Sequence, residues 1–143
     1  MKPSRKGKGK VIGVTPAGDN HQVVTVDSTK GQYRKKPCRN CPWRKDAVGE
    51  FPAEAFKVSA PTAYDMSDRI FGCHSSTTEK PSTCAGFLLR GAEHNLSVRL
   101  AKLRGTSYDD VSDGGHELFN SYREMAVANG VPENDVSLEK CRD

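Results

Sequence analysis

No run of apolar residues in this chain approaches the roughly 20 needed to span a bilayer. The basic N-terminus is not followed by an apolar h-region, so neither membrane insertion nor secretion is expected, and the cytosol is the default compartment. Hydrophobic residues are scarce, 35% of 143, and the mean hydropathy is −0.68, which leaves one domain with a thin core that benefits from a staple. Histidine is also sparse. The only one upstream of the first cysteine pair reads His21-Gln22-Val23, so the His-x-Glu that shuttles protons in zinc deaminases is missing. There is no second Cys-x2-Cys, which sets the chain apart from ordinary two-knuckle zinc ribbons. Nor is there a clear strand–helix context for a thioredoxin-type redox pair. Catalysis is therefore not the favoured reading.

What is present is a set of four cysteines spaced Cys38-x2-Cys41-x31-Cys73-x10-Cys84. In a reducing compartment clustered cysteines bind metal or do chemistry rather than form disulfides, and the odd fifth, Cys141, fits that reading. Pro37 and Pro42 bracket the first pair, and a two-residue gap lets a tight turn aim both thiolates at one ion. Trp43 follows directly, able both to shield the centre and to pack the core. Arg44 and Lys45 stand where they would offset thiolate charge, with an Arg44–Asp46 surface pair as the alternative. Gly72 allows a tight turn before Cys73. His74 is adjacent to Cys73, which disfavours joint ligation of one ion. It stands as a hydrogen bonder behind the ligands, a replacement for Cys84, or a surface histidine. Four thiolates closed around an ion would exclude water from it, which also argues against hydrolysis. The ion is zinc, slightly favoured, or the centre is a 4Fe-4S cluster, since both accept four thiolates.

Charge is divided unevenly. Residues 1–36 carry nine Lys/Arg against Asp19 and Asp27, a net +7, while the remaining 13 Lys/Arg and 16 Asp/Glu give −3. Residues 1–10, with Lys2, Arg5, Lys6, Lys8 and Lys10 among glycines, read as a disordered arm. Such an arm either binds phosphate by counterion release or merely solubilises the chain.

The expected fold is α+β, a small metal-nucleated domain over residues 11–130 followed by a short polar tail, 131–143. Val11–Val14 and Val23–Val26 flank a Pro-Ala-Gly-Asp-Asn turn and read as an N-terminal β-hairpin. Phe51, Ala55 and Phe56 suggest a short helix behind Pro52, with another over 62–68. Leu88, Ala92, Leu96 and Leu100 recur at i+4 and predict a long helix from Cys84 to Gly105, carrying Arg90, Arg99, Lys102 and Arg104 as a possible basic ridge. A second long helix, capped by Asp113 and stopped at Gly130, would complete a C-terminal two-helix hairpin. His21, His94 and His116 read as structural or exposed.

The segments CPWRKD, FGCH, CAGF and HNLSVRLA, spanning about residues 37–103, resemble an uncharacterised family of small proteins from bacteria and their phages. The resemblance marks Cys38, Cys41, Pro42, Trp43, Arg44, Asp46, Cys73, His74, Cys84, Ala85 and Gly86. It implies a shared cysteine cluster and brings no activity with it. Two binding functions follow as expectations. One is a nucleic-acid-associated regulatory factor holding phosphate through its arm. The other is a module that captures a host enzyme through an apolar patch near Trp43, Phe51 or Phe87. An iron–sulfur redox sensor is a further alternative.

Overall fold

Trp43 is the point about which the chain folds. Its side chain is 0% exposed, and its rings meet those of Phe71 and Tyr122 edge-on at centroid distances of 5.8 and 6.0 Å. Each such pair adds about 0.5–1.5 kcal/mol beyond area burial. The computed structural model describes residues 10–16, 22–28, 32–73 and 81–141.

Two extended segments precede the domain, β1 (Lys10–Pro16) and β2 (Gln22–Ser28), paired antiparallel from Val14↔Val24 to Pro16↔Gln22 with register shifts near Val11. β2 joins the body at a bridge where the Ile70 amide donates to the Val26 carbonyl at 2.7 Å, and Val26 is buried in the core. Beyond them the described residues hold four short helices: α1 (Ala53–Ser59), α2 (Ala85–Arg90), α3 (Leu96–Leu103) and α4 (Tyr122–Ala128). Short 3-10 turns lie at Lys45–Ala47, Ala60–Ala63 and Val136–Leu138. The expected α+β class is thus corrected. Over the described residues from 32 to 141 the domain is mostly helical, its extended contacts are isolated bridges, and it contains no sheet for an N-terminal hairpin to extend.

The C-terminal two-helix hairpin is corrected as well. The predicted helix 84–105 is broken between α2 and α3, because α2 lies directly on Trp43. A Cβ at Gly86 would fall on the Trp43 Cβ and Cγ, and one at Gly91 would come within 2.5 Å of the indole Cη2. Gly91 ends α2, and Asn95 starts α3 by accepting from the Val98 amide at 3.0 Å. The leucine stripe is consequently misaligned: Val98 is the buried residue of α3, whereas Leu100 and Leu103 are exposed. The second helix is only α4, capped by Ser121, whose Oγ accepts from the Glu124 amide. Asp113 instead accepts from the Gly115 amide in a turn where Gly114 and Gly115 have positive φ. Leu118 and Phe119 run extended beside the tryptophan, the Phe119 amide donating to the Trp43 carbonyl at 3.0 Å. The helix expected over 62–68 is reduced to the 3-10 turn Ala60–Ala63. Residues 131–141, read above as a polar tail, set Val131, Leu138 and Cys141 into the core.

Asn95 is the buried polar knot of the body. Besides capping α3, its Nδ2 donates to the Arg69 carbonyl at 2.6 Å and to the Thr62 carbonyl at 3.4 Å. Losing a cap costs about 0.5–2 kcal/mol, and orphaning a buried carbonyl adds about 1–3 kcal/mol. Asn95→Ala is therefore expected to lower stability by roughly 3 kcal/mol in urea unfolding. Asn95→Asp keeps the cap but loses both donations, and is expected to recover only the capping share.

Candidate metal centre

The first cysteine pair sits on a tight turn. The Cys41 amide donates to the Cys38 carbonyl at 3.1 Å and the Arg44 amide to the Cys41 carbonyl at 3.0 Å, with Asn40 in left-handed backbone at φ 58°. Asparagine tolerates that conformation better than most side chains, so it suits the tip of the turn. The second pair is set by a short antiparallel contact. Gly72 pairs with Thr83, the Cys73 amide donates to the Ser82 carbonyl at 2.7 Å, and the Cys84 amide donates to the Phe71 carbonyl at 2.9 Å. Alternation of side chains across that ladder places Cys73 and Cys84 on one face as diagonal neighbours, typically about 7 Å apart.

These two halves meet. Cys41 Sγ lies 3.6 Å from Cys84 Sγ, and Cys38 hydrogen-bonds Cys41 from the other side. Cys41, Cys73 and Cys84 are buried, Cys38 is half-buried, and none of the four forms a disulfide. The Cys41 thiol is raised well above its ordinary range. Its hydrogen bond with Cys38 favours the thiolate, but contact with Cys84 and burial together outweigh it. Of the four predicted ligands the structure brings Cys38, Cys41 and Cys84 into a string, with Cys73 on the segment that pairs with the one leading into Cys84. Among the described residues no group of three or more His, Cys, Asp or Glu is placed to hold a metal ion.

One sulfur pair stands at the spacing of two ligands of a single ion. Ligands about 2.3 Å from a tetrahedral zinc stand about 3.8 Å from one another, close to the 3.6 Å Cys41–Cys84 separation. A cluster assigns each cysteine to a different iron and so holds its thiolates further apart. The resulting charge has a nearby counterweight. Arg44 Nη1 donates to the Cys38 carbonyl at 3.5 Å, while Nε and Nη2 grip the Asp46 carboxylate at 2.8 and 2.5 Å. Asp46 holds the Arg44 guanidinium firmly charged, and Arg44 in turn keeps the Asp46 carboxyl below its usual range. Arg44 is thus paired with Asp46, one of its two sequence readings, and also reaches the Cys38 carbonyl.

Trp43 is in the core, and its Nε1 is buried with no hydrogen-bond partner among the described residues. His74, His21, Lys2, Arg5, Lys6 and Lys8 lie outside the described residues, and of Lys10 only the backbone, in β1, is described. Cys141 stands apart from the four, its Sγ 3.9 Å from the Ala60 carbonyl. Sequence reasoning missed Asn40 and Asn95. The placement of Asn95 just before an apolar-periodic run was the available signal for the second.

A family model matches residues 33–142, a span that contains all five cysteines and leaves β1 and β2 outside. The chain belongs to the family of unknown function DUF6283. Searches of the curated proteins and of the solved structures find no match. The DUF6283 region here holds the whole candidate centre, so the thiols and the core that packs them share one unit. No helix among the described residues is long and apolar enough to cross a membrane.

Proposed function

We propose that Cys38, Cys41, Cys73 and Cys84 hold one zinc ion as the structural centre of a small nucleic-acid-binding factor, a cytosolic regulator of bacterial and phage origin. The observation that carries the metal reading is the 3.6 Å meeting of Cys41 with Cys84, residues 43 positions apart in sequence, in a pocket where unscreened thiolates would repel. When bound, zinc would convert that repulsion into a tetrahedral cross-link. The protein's part is to supply the turn at Cys38–Cys41, the ladder at Cys73–Cys84 and the Arg44 charge.

The nucleic-acid reading is supported by the +7 carried within residues 1–36. Capture of a host enzyme through Trp43, Phe51 and Phe87 has less support, since Trp43 and Phe87 are 0% exposed and only Phe51 is half-buried.

Metal analysis of protein purified without oxygen tests the centre. One zinc per chain and a colourless solution are expected. A brown protein with visible charge-transfer absorption and iron in place of zinc would replace the ion with a cluster, and protein free of both would remove the centre altogether. Deletion of residues 1–10 is expected to weaken DNA and RNA binding alike, measured at fixed low salt.

A further inference from the structure

Residues 34–45 read RKKPCRNCPWRK, six Lys/Arg with no Asp or Glu among them. The folded domain answers only some of these charges. Lys35 reaches Asp110 at 3.5 Å, where Tyr33 also donates to the same carboxylate at 2.7 Å. Arg44 is taken by Asp46, and Lys45 lies 3.2 Å from Glu117 and 3.9 Å from Glu124. No described acid pairs with Arg34 or Lys36, and the Arg34 Nε is shut away from solvent with no hydrogen-bond partner among the described residues. Lys36 is exposed, as are Arg39 and Asn40 at the tip of the Cys-x2-Cys turn. The half-exposed pair Tyr33 and Tyr108 stands beside this strip with ring centroids 4.9 Å apart.

We propose that this collar around the cysteine turn, with Lys36 and Arg39 at its centre, is the surface on which the folded domain receives the phosphate backbone of a nucleic acid. The inference rests on the nucleic-acid reading above and gives it a place in the fold that does not depend on the arm. Two features set the collar apart from other surface charge. The cations are consecutive in a segment pinned at both ends, by the Arg34 amide on the Thr83 carbonyl and by the Cys38–Cys41 turn. Such pinning lowers the entropy lost when phosphates are bound. The described acids that approach the collar are already engaged with Lys35, Arg44 and Lys45, leaving Lys36 for an external anion. The alternative ridge along α2 and α3 is weaker by comparison, because Arg90 donates to Asn120 and Arg99 lies against Met66.

The test uses the full chain and a fluorescent duplex of random sequence, with binding read by anisotropy from 50 to 200 mM salt. Lys36→Gln with Arg39→Gln removes two exposed cations. Lys102→Gln with Arg104→Gln on the α3 side removes the same charge elsewhere. Each lost phosphate contact flattens the plot of log K against log salt by about 0.9. The collar pair is therefore expected to reduce the slope by about 1.8, so that the affinity lost over this range shrinks by about tenfold. The control pair is expected to leave the slope near that of the parent. Melting curves and metal content confirm that both variants are folded, and Lys36→Gln alone, with an expected change of about 0.9, serves if the pair is not. Equal slopes for the collar and control variants would overturn the collar while leaving an arm-based binder standing. If the parent chain binds neither duplex nor single strand at 50 mM salt, the nucleic-acid reading fails and the collar with it.

Discussion

Cys84→Ser is expected to yield a chain that carries no zinc and shows no cooperative thermal transition. Cys84 sits where the two halves of the centre touch, 3.6 Å from Cys41 and at the head of α2. Structural zinc sites contribute about 10–16 kcal/mol to folding in small domains, against a net stability of only about 5–15 kcal/mol for a typical protein. If zinc is held as proposed, removing one ligand of four takes away more than the fold has to spare. Chelation of the parent chain should produce the same loss, reversed by added zinc. Cys141→Ser is the matched control, because its sulfur lies under the Ala60 and Ser137 carbonyls rather than among the other four. It should keep its zinc and melt cooperatively. A Cys84→Ser protein with parent-like metal content and melting would show that the sulfur contact holds nothing together.

Gly86→Ala should be nearly as damaging, for a reason unrelated to metal. The added methyl lands on the Cβ and Cγ of Trp43, atoms at the root of the side chain that cannot swing aside. Overpacking usually costs about 1–3 kcal/mol. The high end is expected here, because moving Trp43 would disturb both Phe71 and Tyr122 and drag Cys41 two residues away. A loss of about 3 kcal/mol corresponds to roughly 10 °C in melting temperature for a domain of this size. Gly91→Ala meets the far edge of the indole at Cη2 and Cζ2 instead. Trp43→Phe removes that edge but keeps Cβ and Cγ. In the Trp43→Phe background Gly91→Ala should become much cheaper, whereas Gly86→Ala should stay costly. If both glycine variants melt within a degree or two of the parent, α2 does not rest on the indole.

The sequence made the cysteines easier to read than the fold. Spacing and the bracketing prolines single out Cys38, Cys41, Cys73 and Cys84 as a group; the Cys38–Cys41 turn and the Cys41–Cys84 contact lie within it, while no three of these side chains are placed to hold an ion. The leucine periodicity after Cys84 misled because it carries no information about clearance. Gly91 and Asn95 interrupt the helix for the sake of a tryptophan 48 residues earlier and of carbonyls at Thr62 and Arg69, partners that only the folded chain supplies. Leu100 and Leu103 then face water although their spacing is helical. Asp113 looked like a helix cap because the preference of aspartate for caps and for tight turns has one origin, a short side chain that accepts from nearby amides. Here the adjoining glycines decide for the turn.

The bridge between Tyr64 and Cys141, with Leu138 fully buried, means that the middle of the polypeptide waits for a stretch made much later. A ribosome-bound chain can form the Cys38–Cys41 turn early, yet Tyr64 and Ala60 lack the cover of Leu138 and Cys141 until residue 141 has left the exit tunnel. During that interval the cysteines are exposed together with an unfinished core, which leaves the newly made protein open to aggregation.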